Sequence, residues 1–197
     1  TLCKGVKLNG GLHYTLFGIS GTKYHSIEPR AAINFRLCDK ASLKVSYTEM
    51  SQFMHQLSAT YLNLPTDYWV PSTARITPMK ARQYAAGVYT RLPYNIRWSV
   101  EGFYKTMDNL IEYDGNSGML NPMADRWEEE VRTGKGKAYG METAIRYSNG
   151  KTSVDASYTL SWSKRFFPDF HSSWYPDKFD NRHRFSVNIG HKFNERI

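Results

Sequence analysis

Apolar and polar side chains alternate at every second position along most of the chain. Between residues 154 and 163 the sequence alternates Val, Ala, Tyr, Leu and Trp with Asp, Ser and Thr, and segments 30–37 and 182–193 show the same pattern. Successive side chains of a strand point to opposite faces, so this pattern predicts strands with one apolar face. Eight strands are predicted, near residues 6–18, 26–37, 42–54, 80–92, 95–113, 137–148, 151–164 and 182–193.

The connections between these strands alternate in length. Tight turns are expected near Cys38–Ala41, Pro93–Asn95 and Asn149–Lys151, where Asn149-Gly150 is a strong hairpin signal. On the other side the connections 55–79, 114–136 and 165–181 are long, and only Ser20–His25 is short. Outer-membrane barrels combine short periplasmic turns with long external loops. The pattern therefore favours an all-β, antiparallel, up-and-down transmembrane β-barrel.

The residues on each face indicate which side meets lipid. A soluble barrel has an apolar interior, whereas a membrane barrel has an apolar exterior and a polar lumen. Aromatic residues lie near the ends of the predicted apolar faces, as in interfacial girdles, although ordinary cross-strand packing is the alternative. These aromatics are Trp98, Tyr104, Tyr139, Tyr158, Trp162 and Phe193. We expect lipid contact at Phe35, Tyr158, Leu160 and Val187, and lumen-facing side chains at Arg36, Lys44, Glu101, Asp155, Arg184 and Asn188.

Composition narrows the classes of partner. No apolar run approaches the roughly 18 residues that a transmembrane helix needs, and no signal peptide is expected within residues 1–197. The net charge is +8, but the basic residues are scattered rather than clustered, so we expect no nucleic-acid partner. Scattered positive charge suits either lipopolysaccharide phosphates or an acidic ligand.

The first hairpin sets the expected relation of the two cysteines. A turn at Gly21-Thr22 would place Leu8 opposite Phe35 and Leu12 opposite Ala31. Cys3 and Cys38 would then be diagonal neighbours, roughly 7 Å apart and too distant for an unstrained bridge. Free thiols are expected, and a register slip of two residues would instead favour a disulfide.

Several short motifs resemble those of the TonB-dependent outer-membrane receptors. They are Ser26–Leu37, NLPTDYWVPST at 63–73, FYKTMDNLIEY at 103–113, GKGKAYGMET at 134–143, SYTLSWSKR at 157–165 and DNRHRFSVNIGHKF at 180–193. The resemblance implies a 22-stranded barrel plugged by an N-terminal domain, of which eight strands are about a third. We therefore expect residues 1–197 to be part of such a barrel, without the plug domain.

The resemblance also implies a function and its partners. It implies active uptake of a scarce nutrient, such as a ferric siderophore, cobalamin, a glycan or a peptide, across the bacterial outer membrane. The expected partners are outer-membrane lipid and lipopolysaccharide, the nutrient, and the TonB complex through the plug of the parent protein. Two other hypotheses are a complete eight-stranded barrel with a structural or adhesive role, which requires strands 6–18 and 182–193 to pair, and a soluble carbohydrate-binding or hydrolytic module.

No arrangement of residues predicts catalysis, a cofactor or a metal site. No nucleophile lies in a triad-like pattern, and His183, between Arg182 and Arg184, is expected at a loop–strand junction. The glycines of the GKGKAYG segment are interpreted as bends where a loop enters a strand. Ligand recognition is expected in the long loops 55–78 and 165–181, where external loops of a rigid barrel carry specificity. The candidate ligand-binding residues are Tyr61, Tyr68, Trp69, Phe170, Trp174 and Tyr175.

Overall fold

A computed structural model of the chain describes residues 5–19, 21–57, 68–113 and 127–193. Strands account for nearly all of the regular structure, and a short 3-10 helix spans Trp127–Glu129. The strands are β1 Val6–Ile19, β2 Thr22–Cys38, β3 Ala41–Gln52, β4 Met54–Leu57, β5 Tyr68–Pro71, β6 Met79–Leu92, β7 Ile96–Tyr113, β8 Val131–Ser148, β9 Thr152–Phe166, β10 Tyr175–Pro176 and β11 His183–His191. Among the described residues, no helix has the length and apolar character needed to cross a membrane.

The eight long strands form one antiparallel, up-and-down sheet. Its order is β1-β2-β3-β6-β7-β8-β9, and β11 then pairs with β9 beside the short β10. In the described part of the chain β1 pairs only with β2 and β11 only with β9, so the sheet has two open edges and no closed barrel. The pairing of strands 6–18 and 182–193 that a complete small barrel requires is therefore not formed.

The predicted all-β architecture is confirmed, and several strand boundaries are corrected. The strand expected at 182–193 ends at His191, so Phe193, expected on its apolar face, lies beyond it. The strand expected at 26–37 begins at Thr22, and the one expected at 42–54 ends at Gln52. The strand expected at 137–148 begins at Val131, so the glycines interpreted as loop bends lie inside β8. A Cβ on Gly134 would lie 2.6 Å from the Phe167 ring, so this glycine serves close packing within the strand.

The register of the first hairpin differs from the expected one by two residues. Leu8 pairs with Ile33 and Leu12 pairs with Pro29, because the last pair of the hairpin is Ile19 opposite Thr22. A slip of two residues leaves every side chain on its original face, so apolar matching alone does not distinguish the two registers. This is a shift of the size for which a disulfide was expected, but Cys38 is an exposed free thiol, and Cys3 lies outside the described residues.

The short turns follow the predicted chemistry. Gly150 adopts a φ of +89°, a left-handed conformation that glycine enters without steric cost. The Asn149 side-chain oxygen accepts hydrogen bonds from the backbone N–H groups of Lys151 at 3.1 Å and Thr152 at 2.7 Å. Asparagine commonly closes turns by such bonds to the following backbone. The tight hairpin predicted at Asn149-Gly150 is therefore confirmed.

The sheet exposes its apolar face. Leu12 is 72% exposed and Val187 is 44% exposed, and both lie on the face that alternation marks as apolar. A soluble sheet would bury that face against another layer. Here the buried apolar side chains of the described residues are few, and most belong to a cluster at the long-loop end. The arrangement is the opposite of that expected for the soluble module.

Five aromatic side chains form a continuous line across the apolar face, directly opposite one another on adjacent strands. Ring centroids of Tyr47 and Tyr84 lie 5.0 Å apart, and those of Tyr139 and Trp162 lie 5.5 Å apart. We call this line the aromatic row, and it consists of Tyr47, Tyr84, Tyr104, Tyr139 and Trp162. It lies toward the long-loop ends of the strands.

Candidate functional site

The polar face of the sheet borders a cavity of about 940 Å³ near the short turns. Residues from the first strand to the last line it, including Lys7 on β1 and Asn188 on β11, because the sheet curls. Its cationic lining residues are Lys7, Arg36, Lys40, Arg91, Arg97 and Arg146, and its carboxylates are Asp39, Glu142 and Asp155. Cations outnumber carboxylates, and Arg146 Nε donates to Asp155, so the remaining lining favours an acidic or anionic occupant.

All six predicted lumen-facing residues lie on this polar face. Lys44 lies opposite Gly87, which in turn lies opposite Glu101. Asp155 pairs with Asn188, and both line the cavity together with Arg36. Arg184 continues the row of Lys44 and Glu101 across β8 and β9, by way of Glu142 and Thr159. That this face borders a water-filled lumen stays a prediction.

At the long-loop end, Arg165 holds together a polar cluster with Tyr175. Arg165 Nε donates to Asp177 at 2.7 Å, and its Nη1 lies 3.7 Å from Glu112. The Tyr175 hydroxyl donates to the same Glu112 carboxylate at 3.2 Å. Burial and the neighbouring Glu112 carboxylate raise the pKa of Tyr175 to about 12. Tyr175 therefore stays a neutral hydrogen-bond donor throughout the physiological pH range.

The other candidate ligand-binding residues have separate surroundings. The Phe170 ring stacks on the buried Phe167 with centroids 5.8 Å apart. Trp174 packs against Phe166 at 5.6 Å, and the Lys137 Nζ lies 4.1 Å from the Trp174 ring centroid.

Trp69 is 56% exposed and makes no ring contact with these aromatics among the described residues. Tyr68 begins β5, but its side chain lies outside the described part, as does all of Tyr61. The structure thus places Phe170, Trp174 and Tyr175 in one loop, on different partners, and their ligand contact stays a prediction.

A small apolar core lies at the long-loop end, and alternation gave no sign of it. We call it the loop cap, formed by Leu57, Val70, Ile76, Ile111 and Val131 with Tyr113 and Trp127 packed against it. The antiparallel hairpin β4–β5, within the connection expected to be a loop, supplies two of its members. Strands of four residues are too short for a clear periodic signal.

His55 lies at the centre of the hairpin and is fully buried. Its Nε2 lies 2.9 Å from the Ser72 hydroxyl, and its Nδ1 has no hydrogen-bond partner among the described residues. Burial lowers the pKa of His55, because the charged imidazolium loses its hydration there. The imidazole is therefore neutral at physiological pH.

Hydrogen bonds hold the loop–strand junction before β11. Asp180 accepts a hydrogen bond from the Ser163 backbone N–H at 2.8 Å and another from Arg182 at 2.9 Å. These two bonds lower the pKa of the Asp180 carboxyl. His183 Nδ1 lies 2.8 Å from the Tyr158 hydroxyl. Within the described ranges, no three His, Cys, Asp or Glu side chains converge in a metal-binding arrangement.

Three bacterial receptors are among the solved structures similar to this chain. The ferripyoverdine receptor of Pseudomonas aeruginosa matches 98% of this chain at 16% identity and a TM-score of 0.66. The ferric-catecholate import receptor Fiu from E. coli K12 matches 98% at 14% identity and a TM-score of 0.63. The alcaligin receptor FauA from Bordetella pertussis matches 96% at 18% identity and a TM-score of 0.60.

The chain spans only part of these receptors, between 24% and 32% of their lengths. At such low identity the likeness shows the fold alone. A comparison with curated protein sequences gives no match.

The family assignment comes from the sequence as a whole. Residues 4–196 match the family model described as TonB dependent receptor-like, beta-barrel. This match covers nearly the entire chain and agrees with the up-and-down sheet, its exposed apolar face and its polar face. The chain belongs to the TonB-dependent receptor β-barrel family.

Proposed function

We propose that this chain is part of the barrel wall of an active nutrient transporter in a bacterial outer membrane. Its apolar face would contact lipid, its polar face would border the lumen, and its long loops would lie outside the cell. The observation that carries this proposal is the exposed apolar face of the sheet opposite a face rich in Arg, Glu and Asp. In water such a face would be a large aggregation-prone surface.

The height of the apolar face fits a bilayer. Tyr104 of the aromatic row and Ile96 on the same face are eight positions apart along β7. Eight residues span about 26 Å along a strand, or roughly 20 Å along the membrane normal at the usual tilt. The lipid-facing band of outer-membrane barrels is about 25 Å tall. The aromatic row then falls at one membrane interface.

The two open sheet edges support a larger barrel. An exposed strand edge carries unpaired N–H and C=O groups, which lipid cannot satisfy. β1 and β11 would therefore pair with further strands of the complete receptor, whose polar lumen would hold a plug domain that engages TonB. Isolated, the chain should aggregate in plain buffer.

The substrate is proposed to be a scarce nutrient, with ferric siderophores placed first. The solved receptors of this fold are described as ferripyoverdine, ferric-catecholate and alcaligin receptors. Cobalamin, glycans and peptides are the other candidates. The loop residues Trp69, Phe170, Trp174 and Tyr175 would contribute the ligand contacts, since aromatic side chains offer large apolar contact areas and Trp and Tyr also carry a hydrogen-bond donor.

Uptake by the complete receptor tests this function. The receptor should restore uptake of one labelled nutrient class in a Gram-negative host that lacks its own receptors, and a protonophore or loss of TonB should abolish that uptake. Uptake that persists without TonB would indicate a passive pore. Failure of all four nutrient classes, with the receptor present in the outer membrane, would contradict the transport proposal.

A further inference from the structure

A line of polar residues runs along the long-loop side of the aromatic row. Reading across β3, β6, β7, β8 and β9, it consists of Glu49, Arg82, Thr106, Lys137 and Lys164, each directly opposite the next. The first part of this line is internally neutralised. Arg82 lies 3.5 Å from Glu49 and 3.5 Å from Asp108.

The other end of the line is not neutralised in this way. Lys137 lies directly opposite Lys164, and neither makes an ion pair with a carboxylate among the described residues. Asp180 is within electrostatic range of Lys164, but its carboxylate already accepts hydrogen bonds from Ser163 and Arg182. Like charges directly opposite each other on adjacent strands repel and destabilise the pair. An anion between them would remove this repulsion.

The side chain of Lys137 is held at this position by the neighbouring loop. Its Nζ lies 4.1 Å from the centroid of the Trp174 ring, in a cation–π contact. Trp174 is itself packed on Phe166, the last residue of β9. The contact with Trp174 therefore positions the Lys137 ammonium group before any ligand binds. Lys137 lies opposite Lys164, on the long-loop side of the neighbouring Tyr139–Trp162 pair of the aromatic row.

We propose that Lys137 and Lys164 bind the phosphate of a membrane lipid headgroup, in the leaflet that surrounds the long-loop end of the barrel. The pair lies on the apolar face, next to aromatic side chains of the type that mark the level of headgroups. At that level the anions within reach are lipid phosphates, and each basic residue near an anionic membrane surface contributes favourably to binding. In an outer membrane this describes a phosphorylated glycolipid of the lipopolysaccharide type.

This inference rests on the proposed membrane orientation. If the apolar face contacts lipid but phosphate has no effect on lipid binding, only the phosphate site is wrong. If the apolar face does not contact lipid, the proposed function fails first, and the labelling measurement at the end of the Discussion detects that separately.

Native mass spectrometry of the complete receptor in nonionic detergent tests the site. The probe is a bis-phosphorylated glycolipid, compared with the same lipid after removal of both phosphates. Wild-type receptor should bind the phosphorylated form at least tenfold more tightly. The double variant Lys137→Ala/Lys164→Ala should lose about 10- to 30-fold in affinity for it, as two basic contacts of ordinary strength predict.

Two matched variants sharpen the result. Lys151→Ala/Lys192→Ala removes the same charge at the short-turn rim, where the Lys192 N–H donates to the Lys151 carbonyl, and should change affinity less than twofold. Lys137→Arg/Lys164→Arg should retain binding. Equal affinity of wild type for both lipids overturns the proposal, and this comparison does not depend on any variant folding. An equal loss in the short-turn variant also overturns it. Displacement of the lipid by millimolar inorganic phosphate would indicate a free-anion site instead.

Discussion

Leu57 and Leu12 have the same side chain, but they lie in two regions where its exposure to solvent is opposite. Leu57 is 2% exposed inside the loop cap, whereas Leu12 is 72% exposed on the apolar face of the sheet of eight long strands, which we call the strand wall. The loop cap excludes water with a small core, as a soluble domain does. Among the described residues the strand wall has no second layer against its apolar face, which is the face proposed to contact lipid. Apolar side chains are therefore buried in one region of the chain and exposed in the other, and the boundary between the regions lies near the aromatic row.

The bulge in β7 separates these two regions. The pairing of β7 with β8 shifts between Asp108 and Leu110, and the intervening Asn109 has a φ of +60°. A bulge changes which residues share a face beyond it, and it increases the local twist. The Asn109 side chain donates a hydrogen bond to the Pro78 carbonyl at 2.9 Å, which fixes the segment leading into β6. Ile111, beyond the bulge, belongs to the loop cap rather than to the wall.

The largest effect is expected from deleting a side chain in the loop cap. Leu57→Ala should destabilise the cap by about 2–5 kcal/mol, because it removes buried methyl groups and leaves a cavity. Met54→Ala, on the same hairpin but exposed, should cost far less. Limited proteolysis of the complete receptor in detergent, with cleavage mapped to residues 54–76, measures the opening. Equal protection of the two variants would argue against a cooperative core.

A charged residue introduced on one face or the other of β9 tests which face of the strand wall contacts lipid. Leu160→Arg should destabilise the folded barrel by about 2–4 kcal/mol, since its face is proposed to contact lipid. Thr159→Arg, one residue away on the polar face opposite Glu142, should cost less than about 1 kcal/mol. Equilibrium refolding into lipid vesicles from urea gives both values. The reverse order would place the apolar face in a protein interior.

The bulge should tolerate glycine better than alanine. Asn109→Ala should cost about 1–3 kcal/mol, from the left-handed backbone and the lost hydrogen bond to Pro78. Asn109→Gly keeps the backbone conformation and should cost only the hydrogen bond, about 1 kcal/mol. The same refolding measurement compares them, and equal losses would mean that backbone conformation contributes nothing at this position.

Acid should loosen the loop cap before it affects the wall. The pKa of folded His55 is lowered, so the unfolded cap binds more protons and stability rises with pH. The contribution of His55 is complete above its unfolded pKa of about 6.5 and is lost as the pH falls toward the folded value. Hydrogen exchange at residues 54–57 should therefore accelerate below that pH, and His55→Gln should suppress the change. Acceleration of the strand wall instead would contradict the assignment to His55.

The strand wall was predictable from the sequence, whereas much of the candidate site was not. Alternation over ten or more residues marks each long strand and sorts Lys44, Glu101 and Asp155 onto one face without any knowledge of contacts. It leaves register open, because a two-residue slip preserves both faces, and this is why the pairing of Leu12 was wrong. It also misses the start of β8, where closely packed glycines weaken the strand signal.

The loop cap and the cross-strand clusters depend on contacts distant in sequence. The β4–β5 hairpin is too short to show a period, and Ile111 gives no local sign that it packs against Leu57. The apposition of Lys137 and Lys164 likewise exists only once the register of β8 and β9 is known. Such contacts follow from the tertiary pairing, which residue patterns within one strand do not contain.

The most direct test of the account compares neighbouring positions of β3 in the complete receptor in lipid vesicles. A nitroxide label is placed at Val45→Cys or Lys44→Cys, in a background with Cys3 and Cys38 replaced by serine. Electron paramagnetic resonance then measures collisions with oxygen, which concentrates in lipid, and with a water-soluble nickel chelate. The account predicts that the label at 45 meets oxygen and the label at 44 meets nickel. The opposite pattern, or two labels that both meet nickel, would contradict a lipid-facing apolar wall.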